Sequence, residues 1–124
     1  MRDRRAFWRV DCGVEVALEY AGESFPSKIV NISLGGVLVN TAASPMKGDD
    51  VTVSFELRTA YDPIRVRCQG QVIRAEGRGV GIQFEDLDDR SLADLKQMML
   101  EHTEDPAAVE ADYAKLTGLK AGKS

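Results

Sequence analysis

Hydrophobic and polar residues alternate along the first two thirds of the chain. Between Val14 and Tyr20, apolar side chains occupy every second position, with Glu15 and Glu19 between them, which predicts a half-buried strand. Short turns separate this segment from further strand-like segments at about 25–32, 37–39, 51–57, 64–72 and 80–84. Six strands joined by short connections predict a mainly β fold, a six-stranded antiparallel β-barrel.

The hydrophobic period becomes helical after Phe84. The apolar positions that then recur at helical spacing are Leu92, Leu95 and Met99. They predict a C-terminal α-helix with its N-cap at Asp88 or Asp89. Asp105 and Pro106 have the chemistry of a second cap and first turn, so we expect a possible second short helix with an apolar stripe of Val109, Tyr113 and Leu116.

These patterns divide the 124 residues into three parts within one domain. Residues 1–10 form an arginine-rich arm, residues 11–102 form the barrel with its helix, and residues 103–124 form a helical or frayed extension. We expect Phe7 and Trp8 to be packing anchors that tether the arm to the barrel.

Charge is distributed unevenly around a net value of −4. Residues 1–10 contain four arginines and one aspartate, whereas residues 85–112 contain ten acidic residues and only two basic ones. Long nucleic acids need a broad basic surface, so we expect no nucleic acid partner, although the arginine cluster could hold a small anion. No apolar run is long enough to span a bilayer or serve as a signal peptide, which predicts a cytoplasmic protein without membrane insertion.

Composition also argues against a metal site and against catalysis. Cys12 and Cys68 are far apart and His102 is the only histidine, so we expect reduced thiols, no metal and no cofactor. The chain has no P-loop and no nucleophile–histidine arrangement. We therefore expect it not to be an enzyme.

Two clusters carry candidate chemistry. Arg5 and Arg9 form an RxxxR spacing preceded by Arg4, and residues 31–36 form an NxSxxG spacing at the end of a strand. Arginine binds phosphate bidentately and stacks on flat rings. In the second cluster Asn31 and Ser33 supply hydrogen-bonding groups, and the glycines that follow allow backbone to approach a ligand. Taken singly, each cluster is also typical of structure alone, the first of a solvated tail and the second of a turn.

Taken together, the two clusters and the later segment from Gly79 to Phe84 resemble the PilZ domain family over about residues 4–100. The resemblance implies a six-stranded barrel with a C-terminal helix. It also implies binding of cyclic di-GMP, a bacterial second messenger, without catalysis.

The resemblance assigns ligand-binding roles to eight residues. Arg5 and Arg9 match the motif arginines that grip phosphate and guanine, and Asn31 is the amide variant of an Asp/Asn position, for which we expect weaker guanine binding. Arg74 is a further candidate for stacking on guanine, with a solvent-facing arginine as the equal alternative. Arg4 favours two intercalated ligand molecules over one. The remaining fixed positions are Ser33 and Gly36, and Gly35 between them is a further ligand-binding candidate.

We therefore expect a receptor that relays the signal to an unknown downstream protein when ligand orders its arm, as a monomer or homodimer. The alternative is a PilZ-like adaptor that works through protein contacts with weak or no nucleotide binding. A single-stranded nucleic acid barrel is disfavoured because stacking aromatic residues are not spread over the strands.

Overall fold

The structure is a computed structural model that describes residues 7–57 and 63–121, the last three as backbone only. Its strands are β1 (Val10–Asp11), β2 (Glu15–Tyr20), β3 (Glu23–Ile32), β4 (Gly36–Asn40), β5 (Asp50–Leu57), β6 (Ile64–Glu76) and β7 (Gly79–Phe84). Its helices are α1 (Asp89–His102) and α2 (Pro106–Ala121).

Six of the strands form a closed antiparallel barrel in the order β3-β2-β5-β6-β7-β4. Closure depends on β3, whose first half pairs with β2 and whose second half pairs with β4. The predicted mainly β fold, with a six-stranded antiparallel barrel and C-terminal helix, is confirmed, and each predicted barrel strand corresponds to one of β2 to β7.

The barrel interior is filled by the alternate side chains that the sequence pattern marks as inward. Among those that are essentially inaccessible to solvent are Leu18, Ile32, Val39, Val53 and Ile82. Leu92, Leu95 and Met99 of α1 are buried in the same hydrophobic core as the barrel side chains. Burial of these apolar side chains, each contributing about 1.5–3 kcal/mol, is the main source of stability.

A short strand occupies part of the predicted arm. In β1, Val10 pairs with Ile32 and Asp11 pairs with Asn31 on β3. The physical reason is that Val10 is apolar and buries its side chain against the barrel. The arm is therefore joined to the barrel at the end of β3.

Both helices begin directly after N-cap residues that the sequence indicates, Asp88 for α1 and Asp105 for α2. The side chain of Asp88 accepts a hydrogen bond from the Ser91 N–H at 2.7 Å, and that of Asp105 accepts one from the Ala108 N–H at 3.1 Å. The second helix extends over 16 residues and is longer than the short helix expected. It packs on α1, where Lys96 pairs with Glu110 at 2.9 Å. In the described part of the chain, neither helix has the length and apolar character needed to cross a membrane.

Candidate functional site

The turn between β3 and β4 is built around the hydroxyl of Ser33. This oxygen accepts hydrogen bonds from the N–H groups of Gly35 and Gly36, both at 3.1 Å, and the Ser33 N–H donates to the Gly36 carbonyl at 2.9 Å. Ser33 is only 2% exposed. In this geometry its hydroxyl fixes the turn from inside the fold.

The two glycines of the turn are required by close approaches. A Cβ atom at Gly36 would lie 2.2 Å from the carbonyl oxygen of Ile82 on the neighbouring strand. A Cβ atom at Gly35 would lie 2.6 Å from the ring of Phe7. Gly36 therefore allows β4 to pair closely with β7, and Gly35 allows the arm to cross the turn.

Arg9 and Asn31 bring the two sequence motifs into direct contact. The Nη1 group of Arg9 donates to the Asn31 Oδ1 atom at 2.7 Å, across 22 residues of sequence. A bulge in β3, where the register with β4 shifts between Ile29 and Asn31, lies just before this position. Strand β1 holds the arm beside Asn31, since Asp11 is the sheet partner of Asn31.

A row of paired residues leads from Asn31 across the outer face of the barrel. Its members, on β3, β4, β7 and β6, are Asn31, Leu38, Gly81 and Arg74. Because neighbouring strands are about 4.8 Å apart, the row spans about 14 Å. Leu38 is half-buried, Gly81 has no side chain and Arg74 is exposed. The row thus forms a shallow, partly apolar strip of the outer barrel surface, with Asn31 at one end and Arg74 at the other.

The arm residues that precede Arg9 contact both the turn and α2. The ring of Phe7 lies against Gly35, and the Lys115 ammonium lies 5.7 Å from the centre of the same ring. The Trp8 N–H donates to Asp112 Oδ2 at 2.6 Å. Phe7 is the packing anchor that the sequence predicts. For Trp8 the same prediction is wrong, since its side chain is 39% exposed and the described contact is made by its backbone N–H with Asp112 on α2.

The structure brings together five of the eight sequence-predicted site residues: Arg9, Asn31, Ser33, Gly35 and Gly36. Arg74 lies at the far end of the outer row. Arg4 and Arg5 fall outside the described residues, so their roles stay predictions.

Asp112 was missed by the sequence analysis, which counted it only among the acidic residues of 85–112. The signal was present in the sequence, because Asp112 lies three residues after Val109 and four before Leu116 and therefore falls on the predicted apolar stripe. A lone carboxylate on such a stripe requires a hydrogen-bond donor.

The described residues contain no group of three or more His, Cys, Asp or Glu side chains that could hold a metal ion. Both cysteines are free thiols. Burial, with a smaller effect of the Asp86 carboxylate, raises the pKa of Cys68 to about 12. Burial also raises the pKa of the half-buried Cys12 thiol. High pKa values disfavour the thiolate that a nucleophilic or metal-binding cysteine needs.

Comparison with protein families gives a match to the PilZ domain over residues 3–101. The chain belongs to the PilZ domain family. The matched region contains the arm, the barrel and most of α1, whereas α2 lies beyond it. No curated protein sequence matches this PilZ chain significantly.

Solved structures show the same fold at low sequence identity. The PilZ domain of YcgR from Escherichia coli, solved with cyclic di-GMP, is 15% identical at a TM-score of 0.66, covering 89% of this chain and 98% of that chain. The PilZ domain of CeSA from a cellulose-synthesizing bacterium is 17% identical at a TM-score of 0.60, covering 77% and 99%.

The inhibitor of motility MotI from Bacillus subtilis is 20% identical at a TM-score of 0.65, covering 76% of this chain. The match covers 48% of the MotI chain, so this chain corresponds to about half of that protein.

Proposed function

We propose that this PilZ domain is a non-enzymatic receptor for cyclic di-GMP and that the arm and the turn form its binding site. The observation that carries the proposal is the 2.7 Å contact between Arg9 and Asn31. It joins one residue of RxxxR to one residue of NxSxxG, as a shared ligand site requires. The likeness to the YcgR domain solved with cyclic di-GMP supports the same ligand class.

The chemistry of the site suits a cyclic dinucleotide. Arg5 and Arg9 supply planar forks of donors that bind phosphate oxygens bidentately. Asn31 offers amide donors and acceptors to a guanine edge. The turn presents Gly35 and Gly36, and Ser33 contributes by fixing their backbone.

The outer row supports a role for Arg74 at this site. A guanine that rests on Leu38 and Gly81 would lie between Asn31 and Arg74, and the Arg74 guanidinium would stack on it. Because Gly81 has no side chain, the base can lie close to the barrel wall. In this arrangement the purine would rest on the barrel wall and the phosphates would lie under the arm.

The protein transmits the signal through the arm. Arg5 and Arg9 are drawn to the same phosphates, so ligand is expected to hold the arm more firmly against the end of β3 and to change the surface offered to a cytoplasmic partner protein. Hydrogen exchange in residues 1–9 is therefore expected to slow on ligand addition.

A second candidate function is an adaptor that binds partner proteins with weak or no nucleotide affinity. Two observations favour it: the Ser33 hydroxyl is already engaged by the turn, and the Phe7 ring covers Gly35. An adaptor would retain the fold and the arm contacts but show no ligand-dependent change.

Calorimetric titrations with cyclic di-GMP and with single-stranded DNA, run side by side, separate these functions. A receptor gives heat with cyclic di-GMP only, and chromatography recovers the nucleotide intact. The absence of heat at high micromolar protein supports the adaptor, and linear dinucleotide among the products contradicts a non-enzymatic role.

The same titration tests the stoichiometry. Arg4 can extend over an exposed guanine and contact a second ligand molecule, so we propose two intercalated molecules per chain. With protein well above the dissociation constant, the expected break is at two ligands in the wild type and at one in Arg4→Leu. A wild-type break at one contradicts the two-ligand arrangement.

A further inference from the structure

The carboxylate of Asp112 is unusual among the polar groups of the described residues because it is buried. It lies in the middle of α2 and is only 7% exposed, although buried carboxylates are rare unless they are paired or hydrogen-bonded. Its partner is a main-chain group, the Trp8 N–H, at 2.6 Å and 104 residues away. A bond between a helix carboxylate and the backbone of the arm fixes the path of the arm without depending on the Trp8 side chain.

This contact occurs one residue before a ligand-binding arginine. Trp8 N is held by Asp112 while the next side chain, Arg9, reaches Asn31 at 2.7 Å. The two bonds exist together in one conformation. Phe7 extends the same interface, because its ring lies between the turn at Gly35 and the ammonium of Lys115 on α2. Phe7 and Arg9, the residues on either side of Trp8 in the sequence, are thus both directed toward the turn between β3 and β4.

We propose that Asp112 is a positioning residue for ligand binding: it anchors the arm at Trp8 so that Arg9 is presented beside Asn31. This inference rests on the proposed cyclic di-GMP function and deepens it. The family match ends at residue 101, so α2 adds to the site a component that the matched PilZ region does not supply. The C-terminal helix is then part of the receptor, and ligand affinity and the docking of α2 depend on each other.

The first readout does not involve ligand. Trp8 is the only tryptophan of the chain, so its fluorescence reports on the arm directly. In Asp112→Ala, acrylamide is expected to quench Trp8 more strongly than in the wild type. In Asp112→Asn, which keeps a side-chain oxygen as acceptor, quenching is expected to return toward the wild-type value. The matched control is Glu110→Ala on the same helix, whose carboxylate pairs with Lys96 at 2.9 Å and is expected to leave Trp8 unchanged.

The second readout is affinity for cyclic di-GMP. Loss of one charge-assisted hydrogen bond is expected to weaken binding about 10-fold in Asp112→Ala, with partial recovery in Asp112→Asn and no change in Glu110→Ala. Far-ultraviolet circular dichroism checks that α2 stays folded. If Asp112→Ala unfolds α2, the Asp112→Asn variant and the Glu110→Ala control decide the test.

Each result of the quenching and affinity measurements tests a different part of the proposal. Unchanged Trp8 quenching in Asp112→Ala overturns the anchor. Increased quenching with unchanged or tighter binding overturns the positioning role. Failure of the wild type to bind cyclic di-GMP contradicts the proposed function and the positioning role with it, whereas the quenching result alone still decides whether Asp112 anchors the arm.

Discussion

The turn at Ser33–Gly36 and the arm at residues 7–9 contact each other but are held in different ways. The turn is fixed by backbone pairing on both sides, including the Phe84 N–H to the Gly35 carbonyl at 2.9 Å, and its serine is buried. The contacts described for the arm each use a side chain: Arg9 with Asn31, Phe7 with Lys115, and the Trp8 N–H with Asp112.

This difference separates stability from binding. A change in the turn removes interactions that the barrel needs in order to close, because β4 begins at Gly36 and pairs with both β3 and β7. A change at Arg9 removes an exposed contact with Asn31 that contributes little to folding. We therefore expect changes in the turn to act mainly on stability and changes at Arg9 to act mainly on the proposed ligand binding.

The largest effect is expected for Gly36→Ala. Its Cβ atom would lie 2.2 Å from the Ile82 carbonyl oxygen, and a backbone atom of a barrel strand cannot move away cheaply. We expect a loss of about 3 kcal/mol in the free energy of unfolding, measured by urea denaturation. The control is Gly13→Ala, where a Cβ would meet nothing within 4 Å. Equal stability of the two variants would mean that the turn is not fixed by its packing.

A smaller loss is expected for Ser33→Ala. The Gly35 and Gly36 N–H groups would lose their common acceptor, and leaving buried donors unsatisfied costs about 1–3 kcal/mol. Ser54→Ala, on the outer face of β5, is the control and is expected to change the free energy of unfolding by less than about 0.5 kcal/mol. If Ser33→Ala keeps full stability but loses ligand, its hydroxyl is a ligand group and not the support of the turn.

The smallest effect is expected in the labelling rates of the two cysteine thiols at pH 8. Cys12 lies next to the arm and Cys68 lies in the barrel wall, so their rates compare these two regions. Cys68 on β6 is 4% exposed, and its pKa, raised by burial to about 12, disfavours the thiolate that a maleimide labels. Cys12, which follows β1, is only half-buried. We expect a maleimide to label Cys12 faster than Cys68 in the native protein, read by mass spectrometry of peptides. Faster labelling of Cys68 would show that the wall opens more readily than the arm side.

Much of the fold could be predicted from the sequence because the alternation of apolar residues determines which side of each strand faces the interior. The caps at Asp88 and Asp105 likewise mark the helix starts through local hydrogen bonds. The strand β1 could not be predicted, because two residues are too few to show a hydrophobic period. Its pairing also depends on a distant partner, since Val10 pairs with Ile32, 22 residues away in the sequence.

The site was only partly predictable for a similar reason. Residue types and spacing identify Arg9 and Asn31 as candidates, but their contact depends on how the arm crosses the barrel. The role of the Ser33 hydroxyl inside the turn depends on local geometry that an NxSxxG spacing shares with many turns. The apolar stripe of α2 could have indicated that Asp112 is buried, but its partner, a backbone N–H group at the other end of the chain, could not be predicted.

The most direct test of the central claim is the affinity of Arg9→Ala for cyclic di-GMP, measured beside Arg65→Ala. Arg65 is an exposed arginine on β6, paired with Glu56, and its removal changes the net charge equally. We predict that Arg9→Ala weakens binding by about 1.5–3 kcal/mol with an unchanged unfolding midpoint, whereas Arg65→Ala binds as the wild type does. Equal affinity of the two variants, or unfolding of Arg9→Ala, would contradict a ligand site formed by the arm.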